Sequence, residues 1–286
     1  MNALVASTRA ELLRLRRWPA LWVLLGVWVT LNLSFGYVFD YIAYRTGDAA
    51  GPSTTGRSQA ELLAGLLPSA APVTLTQGMP MFGGALVMIM GALAVGSGYG
   101  WGTWKTVFTQ GPSRAAAFGG TLAALASFVV GLVLVSAVVD LGVSCGIAAI
   151  EGQAIDLPSA GDWLSALGTG LLVLGMWAAA GVLVGVLTRS PALGVGLGLV
   201  WALVVENLLR GVSGVLDPIA AVTDHLPGTA AGSLVGALST AESGTGAGTP
   251  GVFDTLSGTA AIGWLAVYLA GFVVLALALV RRRDVA

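Results

Sequence analysis

From Gly258 to Val280 the chain carries no charged residue and includes eleven Leu, Ile, Val or Phe side chains. A helix of about 20 apolar residues crosses the hydrocarbon core of a bilayer. At roughly −0.3 to −0.6 kcal/mol each, those eleven side chains favour insertion by about −3 to −7 kcal/mol. Five further stretches meet or approach the same length: Trp18 to Phe39, Met79 to Gly98, Phe118 to Asp140, Trp163 to Leu187 and Ala192 to Leu209. Only 9% of the 286 residues are charged, where a soluble domain carries roughly 25%. The mean hydropathy is +0.88. An ordinary water-soluble globule is excluded, and the expected fold is an all-α integral membrane protein with six transmembrane helices in a single domain, residues 1–286.

The few charges set the orientation, because short cytoplasmic loops retain Lys and Arg. With the N-terminus inside, the cytoplasmic segments hold Arg9, Arg14, Arg16, Arg17, Lys105, Arg114, Arg189, Arg281, Arg282 and Arg283, ten of the thirteen basic residues. Of the fourteen acids, only Glu11 and Asp284 fall on that side. Both termini are therefore expected to be cytoplasmic. Twelve arginines to one lysine hint at a GC-rich bacterial genome, and the expected location is the bacterial cytoplasmic membrane. The net charge of −1 offers no attraction to nucleic acid.

Residues 1–17 interleave Leu4, Val5, Leu12, Leu13 and Leu15 with Arg9, Arg14, Arg16 and Arg17, the pattern of a basic helix lying in the headgroup layer. Pro19 suits the first turn of a new helix, so an interfacial elbow is expected before the first span. Outside, Asp40 to Gly78 begins polar, turns apolar at Leu62 to Leu67 and stops at Pro68. The connection 210–257 is too apolar for a solvated loop. Asp217 and Pro218 read as the start of one short helix that Pro227 and Gly228 end. Thr229 to Leu238 reads as a second, with Gly228, Gly232 and Gly236 spaced for close packing. The expectation is a re-entrant outer lid followed by a Gly/Ser/Thr linker from Ser243 to Gly251.

Much chemistry is closed to this chain. One cysteine, Cys145, allows no intrachain disulfide or multi-cysteine metal site, and one histidine, His225, excludes HExxH zinc chemistry. A P-loop needs GK followed by Ser or Thr to hold phosphates, yet the only lysine, Lys105, follows Trp104. No metal or cofactor is expected on this chain, nor is it expected to be an enzyme.

The longest inner loop, Tyr99 to Arg114, reads YGWGTWKTVFTQGPSR. Trp101, Trp104, Val107 and Phe108 form an apolar surface, with Lys105 facing elsewhere. Such aromatics either anchor a loop at the membrane interface or fill a groove on a partner. Gly102, Thr103, Trp104, Lys105, Thr106, Val107, Phe108, Thr109, Gln110, Gly111, Pro112, Ser113 and Arg114 resemble the inner loop of ABC type-2 permeases. Those proteins carry a similar GT, basic, apolar, T, G, S, R pattern between their second and third spans. The resemblance extends to the N-terminal elbow, the six spans and the short outer helices before the last. The chain departs from the family in having Ser97 to Trp101 where a glutamate often precedes the GT pair, and Gly119 and Gly120 where a lysine often follows the arginine.

The resemblance implies that 99–114 is a coupling helix seated on a separate ATPase subunit, with Trp101, Gly102, Thr103, Trp104, Lys105, Phe108 and Arg114 at the contact. It implies ATP and Mg on that partner, a second permease subunit, identical or different, and export of a substrate between the two membrane halves.

Acids at membrane depth are functional candidates by default. Asp140 is expected at an outer helix end, Glu206 and Asn207 beside the translocation path or in the outer leaflet, and Asn32 in helix packing or the path. Gly181 with Gly185, Gly142 with Gly146, and Gly194 with Gly198 have GxxxG spacing, read as close helix packing. Two other function classes compete. One is an intramembrane serine protease using Ser213, in the GxSG pattern of Gly211 to Gly214, with His225 as base. The other is an ion-coupled secondary transporter, which would carry more intramembrane ionisable groups.

Overall fold

The computed structural model describes residues 3–48, 50, 54, 56–109, 112–213, 221–242 and 249–282. These residues form helices and connections without a β-strand. Six helical runs are long and apolar enough to cross a membrane: Pro19–Thr46, Pro68–Gly100, Arg114–Ile150, Ala160–Thr188, Pro191–Val212 and Gly258–Arg282. The protein is thus built as a multi-pass membrane bundle.

Helix α1, Ala3–Arg17, ends where Trp18 turns extended and Pro19 opens the first span. That span comprises α2 (Pro19–Leu33), a π-helical turn (Ser34–Val38) and α3 (Phe39–Thr46), which Gly47 closes at φ +78°. It extends beyond the expected Phe39, because Asp40 is paired with Arg57 and does not break the helix. Helix α4 (Gln59–Leu66) begins with a capping box in which Ser58 and Glu61 satisfy each other's backbone amides. Pro68 does more than end this segment, since it opens the second span at a first-turn position where its missing N–H costs nothing. A 3-10 turn, α5 (Ala71–Gln77), a π turn (Met79–Gly83) and α6 (Gly84–Gly100) complete that span.

The short α7, Thr103–Thr109, precedes α8, Arg114–Ile150, a single 37-residue helix. Helix α9 runs Ala160–Thr188 behind a Ser159–Asp162 capping box. Helix α10 (Pro191–Leu199), a π turn (Val200–Val205) and α11 (Glu206–Ser213) form the fifth span. Helix α12, Pro227–Glu242, starts at the proline expected to end its predecessor. The expected helix start at Asp217 and Pro218 lies outside the described residues, as do Gln110, Gly111, Gly214 and most of the expected linker after Ser243. Helix α13, Gly258–Arg282, ends the described chain.

Helix α9 is the axis. Of its most apolar window 67% is buried, against 11% in α13 and 17% in both the first and fifth spans, which form the rim. Val173, Leu174, Met176 and Trp177 pack with Val87 and Met88 of α6, Leu132 and Val133 of α8, and Ala230, Ala231 and Leu234 of α12. Bilayer tails are as apolar as leucine, so this core is held by packing rather than by escape from water.

Backbone contact makes the α6–α9 packing tight. A side chain on Gly181 would collide with the Met88 carbonyl, and one on Gly185 would lie 3.0 Å from the Ala92 oxygen. On α6, a methyl on Gly91 would meet the Val182 nitrogen at 3.0 Å. The pair Gly194 and Gly198 packs the fifth span against the side chains of Ala92 and Met88, at 3.3 and 3.1 Å. Gly142 and Gly146 break the pattern, because nothing lies within 4 Å of either missing side chain. Spacing alone therefore identified two packing pairs of three. Gly181→Val is expected to cost about 1–3 kcal/mol by overpacking, whereas Gly142→Ala leaves stability unchanged or raises it by up to about 1 kcal/mol. Thermal unfolding of the two variants in detergent checks both.

Candidate functional site

The basic end of the bundle is assembled by hydrogen bonds from side chains to backbone carbonyls of neighbouring helices. Ser7 Oγ donates to the Ala117 oxygen at 3.2 Å, docking α1 on α8, and Arg14 Nη2 donates to the Ala94 oxygen at 2.9 Å, docking it on α6. Arg114 Nη1 reaches the Val280 and Arg281 carbonyls at 3.4 Å each, joining the start of α8 to the end of α13.

Helix α7 is held on this platform from beneath. Gly102 at φ +67° makes the turn that leads into it. Trp104 is 5% exposed, donates its indole N–H to the Val95 oxygen at 3.1 Å and occupies the space that the missing Gly98 side chain leaves. It stacks on Phe108 at 5.3 Å and lies against Tyr99 and Phe118. The Arg114 guanidinium sits 5.6 Å over the Phe108 ring. The expected apolar contact surface is therefore corrected: Trp104 faces the bundle, with Phe108 half-buried beside it. Lys105, Thr103, Thr106 and Thr109 face outward, and Trp101 is 69% exposed. An aromatic pair at i, i+4 on a two-turn helix beside an apolar span signals this inward face.

At the other end, a polar seam joins the first span to α8. Trp28 Nε1 donates to Ser136 Oγ at 2.7 Å, Asn32 Nδ2 to Asp140 Oδ1 at 2.6 Å, and the Tyr37 hydroxyl to the Asp140 carbonyl at 3.2 Å. Beyond them Tyr41, Tyr44 and Arg45 converge on Glu151 at 2.7, 3.2 and 3.1 Å. The spacing 28, 32, 37, 41 contains one step of five. The π turn at Ser34–Val38 supplies the extra residue and keeps the polar face in register with α8.

This corrects the placement of Asp140. The helix continues through ten further residues to Ile150, about 15 Å at 1.5 Å per residue. Asp140 is fully buried, Asn32 is 6% exposed, and Oδ2 of Asp140 accepts no hydrogen bond. A narrow cleft between the first two spans reaches Asn32 past Phe35, Phe82, Gln77 and the Asp40–Arg57 ion pair, 2.9 Å long.

Glu206 is also fully buried. Its carboxylate accepts from Trp201 Nε1 at 3.0 Å and from the Gly228 N–H at 2.9 Å, and pairs with Arg210 at 3.6 Å. Gly228 is the second residue of α12, so the carboxylate caps a helix N-terminus, where negative charge is favoured. Arg210 in turn donates to Asn207 Oδ1 and Thr229 Oγ1 and lies 4.5 Å over Phe253. Glu206 thus points into α12, while Asn207 beside it is exposed.

For the protease reading, the side chain of Ser213 lies outside what is described. The His225 ring holds the Ala221 carbonyl at 2.9 Å and stands edge-on against Trp264, so one ring nitrogen is committed to backbone. No protein-family model matches the chain, and no curated protein matches it either.

Glu206→Leu strands the half-buried Arg210 and is expected to cost about 3–5 kcal/mol. Arg45→Gln, at a pair whose arginine is 59% exposed, costs under about 1 kcal/mol; denaturation in detergent compares them. The Tyr41 hydroxyl, helped by Tyr44 and Arg45, holds the Glu151 carboxyl below the usual carboxylate range. A lowered pKa gives stability that is complete above the unfolded-state value and lost as pH falls through the folded one. The protection factors of the Phe39–Thr46 amides, taken relative to the intrinsic exchange rate at each pH, should therefore fall on acidification, and Glu151→Ala should show the lower protection already at neutral pH.

Proposed function

We propose that the chain is the membrane-spanning permease of an ATP-driven exporter of the ABC type-2 class, working with a separate ATPase subunit. The observation that carries this reading is α7. It is a short helix at the basic end, in the loop whose residues resemble the family's coupling helix, fastened by Trp104 and presenting Lys105 and Trp101 outward. The six spans and the segregation of basic from acidic residues agree with it.

In this reading both termini and α7 are cytoplasmic, α1 lies in the headgroup layer, and 210–257 forms a lid on the far side. The bacterial cytoplasmic membrane is the setting. The ATPase holds ATP and Mg and pushes on α7. Trp104 transmits the displacement to α6, because its N–H grips the Val95 carbonyl and its ring fills the hollow at Gly98. Helix α6 is in backbone contact with α9, so the axis of the bundle moves with it. A second permease subunit supplies the other wall of the path. The path-facing candidates on this chain are Asn207 and the cleft at Asn32 rather than Glu206, whose capping of α12 fastens the lid.

Purification in mild detergent should retain an ATPase. Lys105→Glu with Trp101→Asp should abolish transport-coupled ATP hydrolysis by about tenfold or more while leaving thermal stability within about 0.5 kcal/mol. Trp104→Asp buries a charge and should instead lower stability measurably. Full coupling in the double variant, or an orphan chain that transports alone, would sink the proposal.

A further inference from the structure

The cleft between the first two spans, in the half of the bundle away from α7, is lined by polar groups that the fold leaves unpaired. Asn32 of α2 and Thr74 and Gln77 of α5 face it, with Trp28, Phe35 and Phe82 as its apolar walls. Asn32 is only 6% exposed. Its nitrogen donates to Asp140 Oδ1 at 2.6 Å, whereas its oxygen has no hydrogen-bond partner and keeps accessible surface, unlike the fully enclosed Oδ2 of Asp140 behind it. The side-chain amide of Gln77, half-buried in the same cleft, makes no hydrogen bond with any described residue. Thr74 directs its hydroxyl proton to the Ala70 carbonyl at 3.2 Å, which leaves its oxygen to accept. Bilayer tails offer no hydrogen bonds, so unpaired polar groups within spans are costly and mark a functional site.

The lining selects the chemistry of a ligand. Asn32 Oδ1 and Thr74 Oγ1 can only accept, and the Gln77 amide can do either, so the matching head is one that donates, as hydroxyls do. The charges at the mouth are already matched. Arg57 places Nη1 on Asp40 and Nη2 on the Glu61 carbonyl, each at 2.9 Å. An ionised head would meet no open counter-charge there. Size narrows the head further. The cleft encloses about 50 Å³ of free space, and one water needs about 10–15 Å³ on that measure, so the head has roughly three to five heavy atoms. Phe35 lines the cleft and is also 38% exposed, so an apolar tail passes over its ring into the surrounding bilayer.

We propose that this cleft binds an uncharged amphiphile with a small hydroxylated head, drawn from the leaflet away from α7. Binding requires only that the first two spans stand in a bilayer; that the bound compound is the cargo rests on the exporter reading.

The test uses the full chain in phosphatidylcholine vesicles without an ATPase. A monoacylglycerol carrying a diazirine in its tail, or the methyl ester of the same acid, is illuminated, and mass spectrometry locates the labelled peptides. The monoacylglycerol should label the first two spans about fivefold more than the methyl ester, which lacks the donors. The free acid, an anion, should label no better than the ester. Gln77→Leu removes an amide that has no partner in the fold, so the protein should melt no lower while labelling by the monoacylglycerol falls about fivefold. Ser127→Ala, which removes an exposed hydroxyl of α8 bonded to the Ala123 carbonyl, should change labelling less than about twofold. Equal labelling by the monoacylglycerol and the ester, meaning a cleft that holds water only, would overturn the site, as would unchanged labelling in Gln77→Leu. Labelling by the free acid as strong as by the monoacylglycerol would overturn the uncharged class. Because no ATPase is present, each of these failures leaves the exporter reading standing.

Discussion

Gly91, Gly181 and Gly185 let the backbones of α6 and α9 touch, with Trp177 of α9 lying against Gly84 of α6. In a bilayer there is no water to drive two apolar helices together, so association rests on how closely their atoms can approach. A pair in backbone contact behaves as one rigid element. Helix α8, the fifth span, α12 and α13 pack on its sides, and the first span adds the buried Trp28 ring, which lies against Gly78 and Gly83, to its polar ties with α8. The exposure pattern follows: the axis is buried and the rim spans present Val23, Leu193, Val204 and Val267 outward.

Polar residues do a different job from glycines here. Asn32, Asp140, Ser136 and Trp28 tie the first span to α8 where apolar packing is thin, and Glu206 ties the fifth span to α12. Both ties sit next to a π turn, at Ser34–Val38 and at Val200–Val205. A π turn costs hydrogen-bond quality and is retained where an extra residue must be absorbed to aim side chains. In the first span the benefit is visible in the five-residue step from Asn32 to Tyr37. The second span has its own π turn at Met79–Gly83, which absorbs Pro80 and brings Phe82 against Phe35 at 5.4 Å. These turns place the cleft at Asn32 and the Glu206 cap of α12 in the same half of the bundle, away from α7.

Six spans, the bend at Pro19 and the start of the last helix were legible because hydropathy over about 20 residues and a proline's missing N–H are local properties. The inner loop was legible as a segment, but its face was not. Trp104 and Trp101 are three residues apart and equally aromatic, and only the hollow at Gly98 decides which of them turns inward. The lengths of the first and third spans were underestimated because Asp40 and Asp140 read as helix-ending charges. Their partners, Arg57 and Asn32, come from other elements, and no local pattern announces a long-range pair. The same reason hid the role of Glu206, whose acceptor function depends on an amide 22 residues away. Glycine spacing misled at Gly142 and Gly146, since GxxxG permits contact without supplying a neighbour.

An ATPase can reach α7 only from the cytoplasm, so the proposed function rests on the side of the membrane that the basic end faces. Cys145 is the only cysteine, so a Cys145→Ala chain accepts single reporters. Lys105→Cys and Gln59→Cys sit at opposite ends, both exposed. Labelling intact cells with a membrane-impermeant maleimide should modify position 59 and spare position 105 until the membrane is opened. Modification of position 105 in intact cells, with position 59 protected, would contradict the central claim.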